Sequence, residues 1–168
     1  DATGATASFT PLASGSITIR VQVTDDDGAS SIASAILYAS NDVVFTAVNS
    51  LDVSGNDLSR STGTGWNASA ISVGALEEDG YMGFTGTIAG KAMIGLSEND
   101  TGAHFSGMPY AFYKNINRVE IYELGRQRGS YGTFENGDTF RITIDKGDVV
   151  YSHNGSELRR IIGAVPLE

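Results

Sequence analysis

The chain has 168 residues, 40% of them apolar, with 21 glycines, 3 prolines, no cysteine, and a net charge of −9 from 20 acidic and 11 basic side chains. That length holds a domain with a substantial core, the absence of cysteine excludes disulfides and thiolate metal sites, and the negative charge repels nucleic acid from most of the surface. No apolar run reaches the roughly 18 residues a membrane helix needs, and many glycines with few prolines point to tight turns in an all-β chain.

Residues 1–40 read as a β-hairpin. In Ser16–Thr24 the apolar Ile17, Ile19, Val21 and Val23 alternate with Thr18, Arg20, Gln22 and Thr24, the period of a half-buried strand. Asp25-Asp26-Asp27-Gly28 is a turn, and Ser31–Tyr38 resumes the extended pattern. The runs Phe9-Thr10-Pro11, Gly15-Ser16-Ile17-Thr18-Ile19 and Val23-Thr24-Asp25-Asp26-Asp27-Gly28 are similar to the last two strands of a PKD or immunoglobulin-like repeat. So short a piece cannot bury enough surface to fold alone. It is therefore expected to dock on the main body, pair between chains, or be the remnant of a further domain. The first of these places it at an edge that a C-terminal strand would otherwise fill.

Residues 41–166 are expected to form the main sandwich, with Leu167-Glu168 read as a cloning remnant. Val43-Val44-Phe45 and Leu51-Asp52-Val53 are short strands around a Ser54–Asp57 turn, and a polar glycine loop delivers Trp66. Ala68–Val73 reads as a strand end or a rim loop. Tyr81–Thr85 is a strand and Ala92–Leu96 a buried one. Ser97–Gly107 is a long polar loop containing His104, and long loops in compact domains tend to be functional. Met108–Tyr113 then leads into Arg118–Ser156, which reads as a four-strand antiparallel meander. Its turns are Leu124-Gly125, Asn136-Gly137, Lys146-Gly147 and Asn154-Gly155.

The segments Met93-Ile94-Gly95-Leu96-Ser97, Val119-Glu120-Ile121-Tyr122-Glu123-Leu124-Gly125, Gly137-Asp138-Thr139-Phe140-Arg141-Ile142 and Val150-Tyr151-Ser152-His153-Asn154-Gly155 carry a second resemblance. The chain from Val43 to Arg160 resembles the concanavalin A-like lectin/glucanase sandwiches, including their SPRY-like and laminin-G-like branches. The fold implied is an all-β antiparallel β-sandwich of jelly-roll, concanavalin A-like type. The setting implied is a module of a bacterial exported protein, extracellular or at the cell surface. A composition rich in Ser, Thr, Asn, Asp and Gly agrees with that setting.

One sandwich hosts several functions, so the residues must choose among them. Retaining glycanases of the resembled kind carry E-x-D-x-(x)-E on one strand, supplying two carboxylates about 5 Å apart. Nothing here matches: Glu120 and Glu123, three apart, point to opposite faces of a strand. Glu77, Glu78 and Asp79 sit in a turn. His104, Tyr113, Arg118 and His153 have no spacing that assembles a lyase base, so catalysis is not expected and a lyase or hydrolase ranks third. Asp25 and Asp27 begin what resembles a calcium loop, yet Ile36 stands where such a loop needs a bidentate Glu. A plain turn comes first there and calcium second. Asn99 and Asp100 are a second calcium ligand set, and no other cofactor is expected.

Sugar recognition needs aromatic faces and planar polar side chains in a formed groove. Tyr110, Tyr113, Tyr122 and Tyr131 lie in or near the meander, with Trp66 and His104 on loops. Tyr122 shares a strand face with Arg118 and Glu120, away from Val119 and Ile121. A cross-strand surface pair is its plainer reading. Trp66 reads first as a core plug and second as a stacking platform. Arg126 and Arg128 are candidates to fork onto an acidic group, or else guard an edge strand. The expected function is a non-catalytic carbohydrate-binding or adhesin module whose partner is a polysaccharide or cell-surface glycan. The alternative is a self-associating domain of a surface fibre, joined through its N-terminal strands.

Overall fold

A computed structural model of the chain describes residues 15–24, 27–39, 43–74, 76, 79–97 and 105–164. Among the described residues nearly all regular structure is strand, beside one three-residue 3-10 turn, so the all-β expectation holds. In chain order the strands begin with β1 (Gly15–Thr24), β2 (Ser30–Ala39), β3 (Phe45–Asn49), β4 (Leu51–Ser54), β5 (Asp57–Arg60) and β6 (Ser69–Ser72). These form two-stranded ladders, β1 with β2, β3 with β6 and β4 with β5. The N-terminal hairpin thus pairs through all ten residues of each strand, Gly15 opposite Ala39 to Thr24 opposite Ser30. Among the described residues it joins neither larger sheet. A strand after Asn154-Gly155, which the sequence reading did not assign, edges one of the larger sheets.

Two four-stranded antiparallel sheets make the sandwich-like body. They use β7 (Gly80–Thr85), β8 (Lys91–Leu96), β9 (Tyr110–Asn115), β10 (Arg118–Glu123), β11 (Arg126–Thr133), β12 (Thr139–Asp145), β13 (Asp148–His153) and β14 (Ser156–Ile161). The first sheet runs β11-β10-β9-β8 and the second β14-β13-β12-β7. The expected single meander is therefore divided: β10–β11 belong to one sheet and β12–β14 to the other. Phe134 is the physical reason. It is buried between the sheets with its ring 5.4 Å from Phe140, which pulls the β11–β12 connection across the core. Gly86 makes room for it, since a Cβ there would meet the Phe134 ring at 2.8 Å.

Period-two alternation places the core. Phe112 on β9, Val119 and Ile121 on β10, Phe140 and Ile142 on β12, and Val149 and Tyr151 on β13 are all buried in one cluster. Phe112 packs edge-on against Phe140 at 5.4 Å and Tyr151 at 5.2 Å, joining the sheets through aromatic contacts of favourable geometry. Ala92–Leu96 is half-buried on an edge strand, not wholly buried as its apolar run suggested. An apolar run alone does not distinguish the two cases.

Polar groups tie the rim of the core. Glu123 is buried and accepts from Arg159 of the opposite sheet at 2.6 Å and from Arg128 at 2.9 Å. At the other end Asp138 accepts from Asn154 Nδ2 at 2.8 Å and from the Glu135 amide at 2.9 Å, while His153 Nε2 stands 2.8 Å away. Those bonds hold the Asp138 carboxyl down at about 2, against an ordinary 3.8.

Candidate functional site

The face of the first sheet turned away from the core carries an aromatic row. On β10, Val119, Ile121 and Glu123 are buried, so Arg118, Glu120 and Tyr122 point outward. On β9 the inward residues are Tyr110, Phe112 and Lys114, which leaves Tyr113 outward beside Glu120, its register partner. Tyr113 and Tyr122 then meet diagonally across the strands, ring centroids 5.7 Å apart and nearly perpendicular. Trp66, from the loop before β6, lies 5.7 Å from Tyr113. Phe105, from a short 3-10 turn at Phe105–Gly107, lies 6.3 Å from Tyr122. Four rings thus follow one another across the sheet. Trp66 and Phe105, at its ends, remain 57% and 41% exposed.

The polar lining is ordered as well. Glu120 accepts from Gln127 Nε2 at 2.8 Å and from the Tyr122 hydroxyl. Burial, the Glu120 charge and that hydrogen bond raise the Tyr122 phenol above its usual range. Burial, then the charges of Glu120 and Tyr122, raise Tyr113. Both rings consequently stay neutral and keep a donor hydroxyl at ordinary pH. Register places Lys91, Asn115 and Arg118 side by side at one end of this face, one row beyond Met93, Tyr113 and Glu120.

The other candidates fall elsewhere. Tyr110 is 8% exposed and faces the core, because it shares its strand parity with Phe112. Arg128 is the extra residue of a bulge, lying between Gln127 opposite Tyr122 and Gly129 opposite Ile121, and the bulge turns it onto Glu123. Arg126 opposes Glu123, on the other side of β10 from Tyr122. Trp66 is not the core plug first expected, being more than half exposed. His104, Asp25, Asn99 and Asp100 lie outside the described residues, while Asp27 is exposed in its turn. Among the described residues no cluster of three His, Cys, Asp or Glu side chains stands ready for a metal, and no helix is long and apolar enough to cross a membrane.

Phe105, Lys91 and Asn115 were missed in the sequence. An apolar residue beside His104 in an otherwise polar loop was the signal for the first, and strand parity with Met93 and Tyr113 the signal for the other two.

Set against family models, curated proteins and solved structures, the chain matches none of them.

Proposed function

We propose that this chain is a non-catalytic carbohydrate-binding module that holds a polysaccharide on the outer face of the β8–β11 sheet. The observation that supports this is the row Trp66, Tyr113, Tyr122 and Phe105, side chains of large stacking area left partly open to solvent. Aromatic rings stack on the apolar faces of sugars, and the Glu120–Gln127 pair beside Tyr122 offers planar acceptors and donors to hydroxyls. The concanavalin A-like resemblance of the sequence, and the setting outside the cell that it implies, form part of this proposal. The test is a polysaccharide and glycan array probed with the wild type and with Tyr122→Ala and Trp66→Ala. Selective binding that weakens roughly ten-fold on losing either ring is expected, the upper range of one aromatic contact. A blank array for the wild type removes the reading.

A second reading, self-association through strand edges, draws support from the ten-residue strands of the N-terminal hairpin, each hydrogen-bonded on one side only among the described residues. Sedimentation velocity separates the two: a coefficient that rises with concentration favours self-association, and a monomer that binds glycan favours the first.

A further inference from the structure

The row at the Arg118 end of the aromatic face indicates which class of polysaccharide the module takes. Lys91 opposes Asn115 on β9, and Asn115 opposes Arg118 on β10. Both cations are exposed, and neither side chain makes an ion pair or hydrogen bond among the described residues.

Most of the other described cations, Arg126 and Lys146 excepted, are committed. Arg128 and Arg159 hold Glu123, Arg160 holds Glu157 and Asp148, and Arg141 lies over Tyr81. Arg60 and Lys114 are bound to backbone carbonyls. In a protein of net charge −9, two cations uncommitted among the described residues therefore share one row beside the rings. Two strand spacings separate their backbones, roughly 10 Å, a gap that two long side chains can span to reach one anion. One row along the strand, about 7 Å, brings Tyr113.

We infer that the ligand is an acidic polysaccharide whose carboxylate or sulfate groups sit between Lys91 and Arg118 while its sugar rings lie along Tyr113, Trp66 and Tyr122. The inference rests on the carbohydrate-binding reading of this face. Arg118 supplies a planar fork to the anion, Lys91 a mobile point charge, and Asn115 a neutral donor between them. The surrounding negative charge repels polyanions that approach elsewhere, so this end of the sheet also fixes the direction in which the chain lies.

The test compares polygalacturonate, dextran sulfate and neutral dextran by affinity electrophoresis and titration, in chelator so that no bridging calcium contributes. The proteins are the wild type, Lys91→Ala, Arg118→Ala and the double variant. Lys146→Ala serves as control, since it removes an exposed cation from the β12–β13 turn of the other sheet. The expected result is binding to one or both polyanions well above dextran, weakening as salt rises. Each single variant loses roughly five-fold, the upper end for an exposed ion pair, the double variant loses more, and Lys146→Ala loses nothing. Preference between the two polyanions assigns the anion as carboxylate or sulfate. Binding to dextran that equals binding to the polyanions and survives the double variant overturns the inference while leaving the carbohydrate reading intact. A loss for Lys146→Ala equal to that for Arg118→Ala also overturns it, because attraction is then general charge. No binding to any polysaccharide here or on the array overturns both.

Discussion

The two outer faces of the sandwich are built on the same strand geometry and share one core, yet they treat their polar groups in opposite ways. On the β7/β12–β14 face charge is closed upon itself: Arg160 reaches Glu157 at 2.8 Å and Asp148 at 3.1 Å, and the Arg141 guanidinium lies 3.8 Å above the Tyr81 ring. On the β8–β11 face the rings of Trp66 and Phe105 remain open, and Lys91 and Arg118 find no counter-charge among the described residues. Exposed ion pairs contribute little to stability, so satisfying one face and leaving the other open makes scant difference to folding. The difference lies in recognition. A face whose groups are paired internally has little to offer a ligand, whereas the other presents partly exposed apolar area and charge that is unpaired among the described residues.

The largest effect comes from what the faces share. Phe140 is 2% exposed and touches the rings of Phe84, Phe112, Phe134 and His153. Phe140→Ala should cost about 3–5 kcal/mol in denaturant unfolding and remove order from both faces together. A smaller loss, or one confined to one sheet, breaks the idea of a common core. On the closed face, Arg141→Ala should cost only ~0.5–1 kcal/mol, the worth of an exposed cation–π contact, and leave polysaccharide affinity untouched. A binding loss matching that of Tyr122→Ala would put the ligand on the wrong face. Acid is the gentlest lever. The folded-state pKa of Asp138 is depressed, so its contribution is complete above pH 3.8 and is lost as pH falls from 3.8 towards 2. Equilibrium unfolding of Asp138→Asn should show a shallower acid limb over that window than the wild type.

Much of this arrangement was legible from alternation. Val119 and Ile121 against Glu120 and Tyr122, and Phe140 and Ile142 against Arg141 and Thr143, sort inward from outward because side chains on a strand alternate faces. The same parity, applied to β9, separates Tyr110 from Tyr113: Phe112 is the obligatory core residue, and Tyr110 shares its side. What alternation cannot supply is which strands become neighbours. Nothing local indicated that β11 and β12 belong to different sheets, or that Trp66, 47 positions before Tyr113, comes to rest on it. Arg126 and Arg128 show a subtler limit. A bulge of a single residue reset their facing and committed one of them to a buried carboxylate.

Lys114 bears on the proposed capture of a polyanion. Its buried ammonium donates to the carbonyls of Thr87, Ala89 and Gly90, and the Ile116 amide donates to Gly90 as well, at 3.0 Å. Burial lowers its pKa, but carbonyl dipoles stand in for the missing water. The segment just before Lys91 is thereby pinned to the end of β9 before any ligand arrives. The backbone carrying one side of the proposed anion seat has already surrendered its freedom during folding, and association need not take it again.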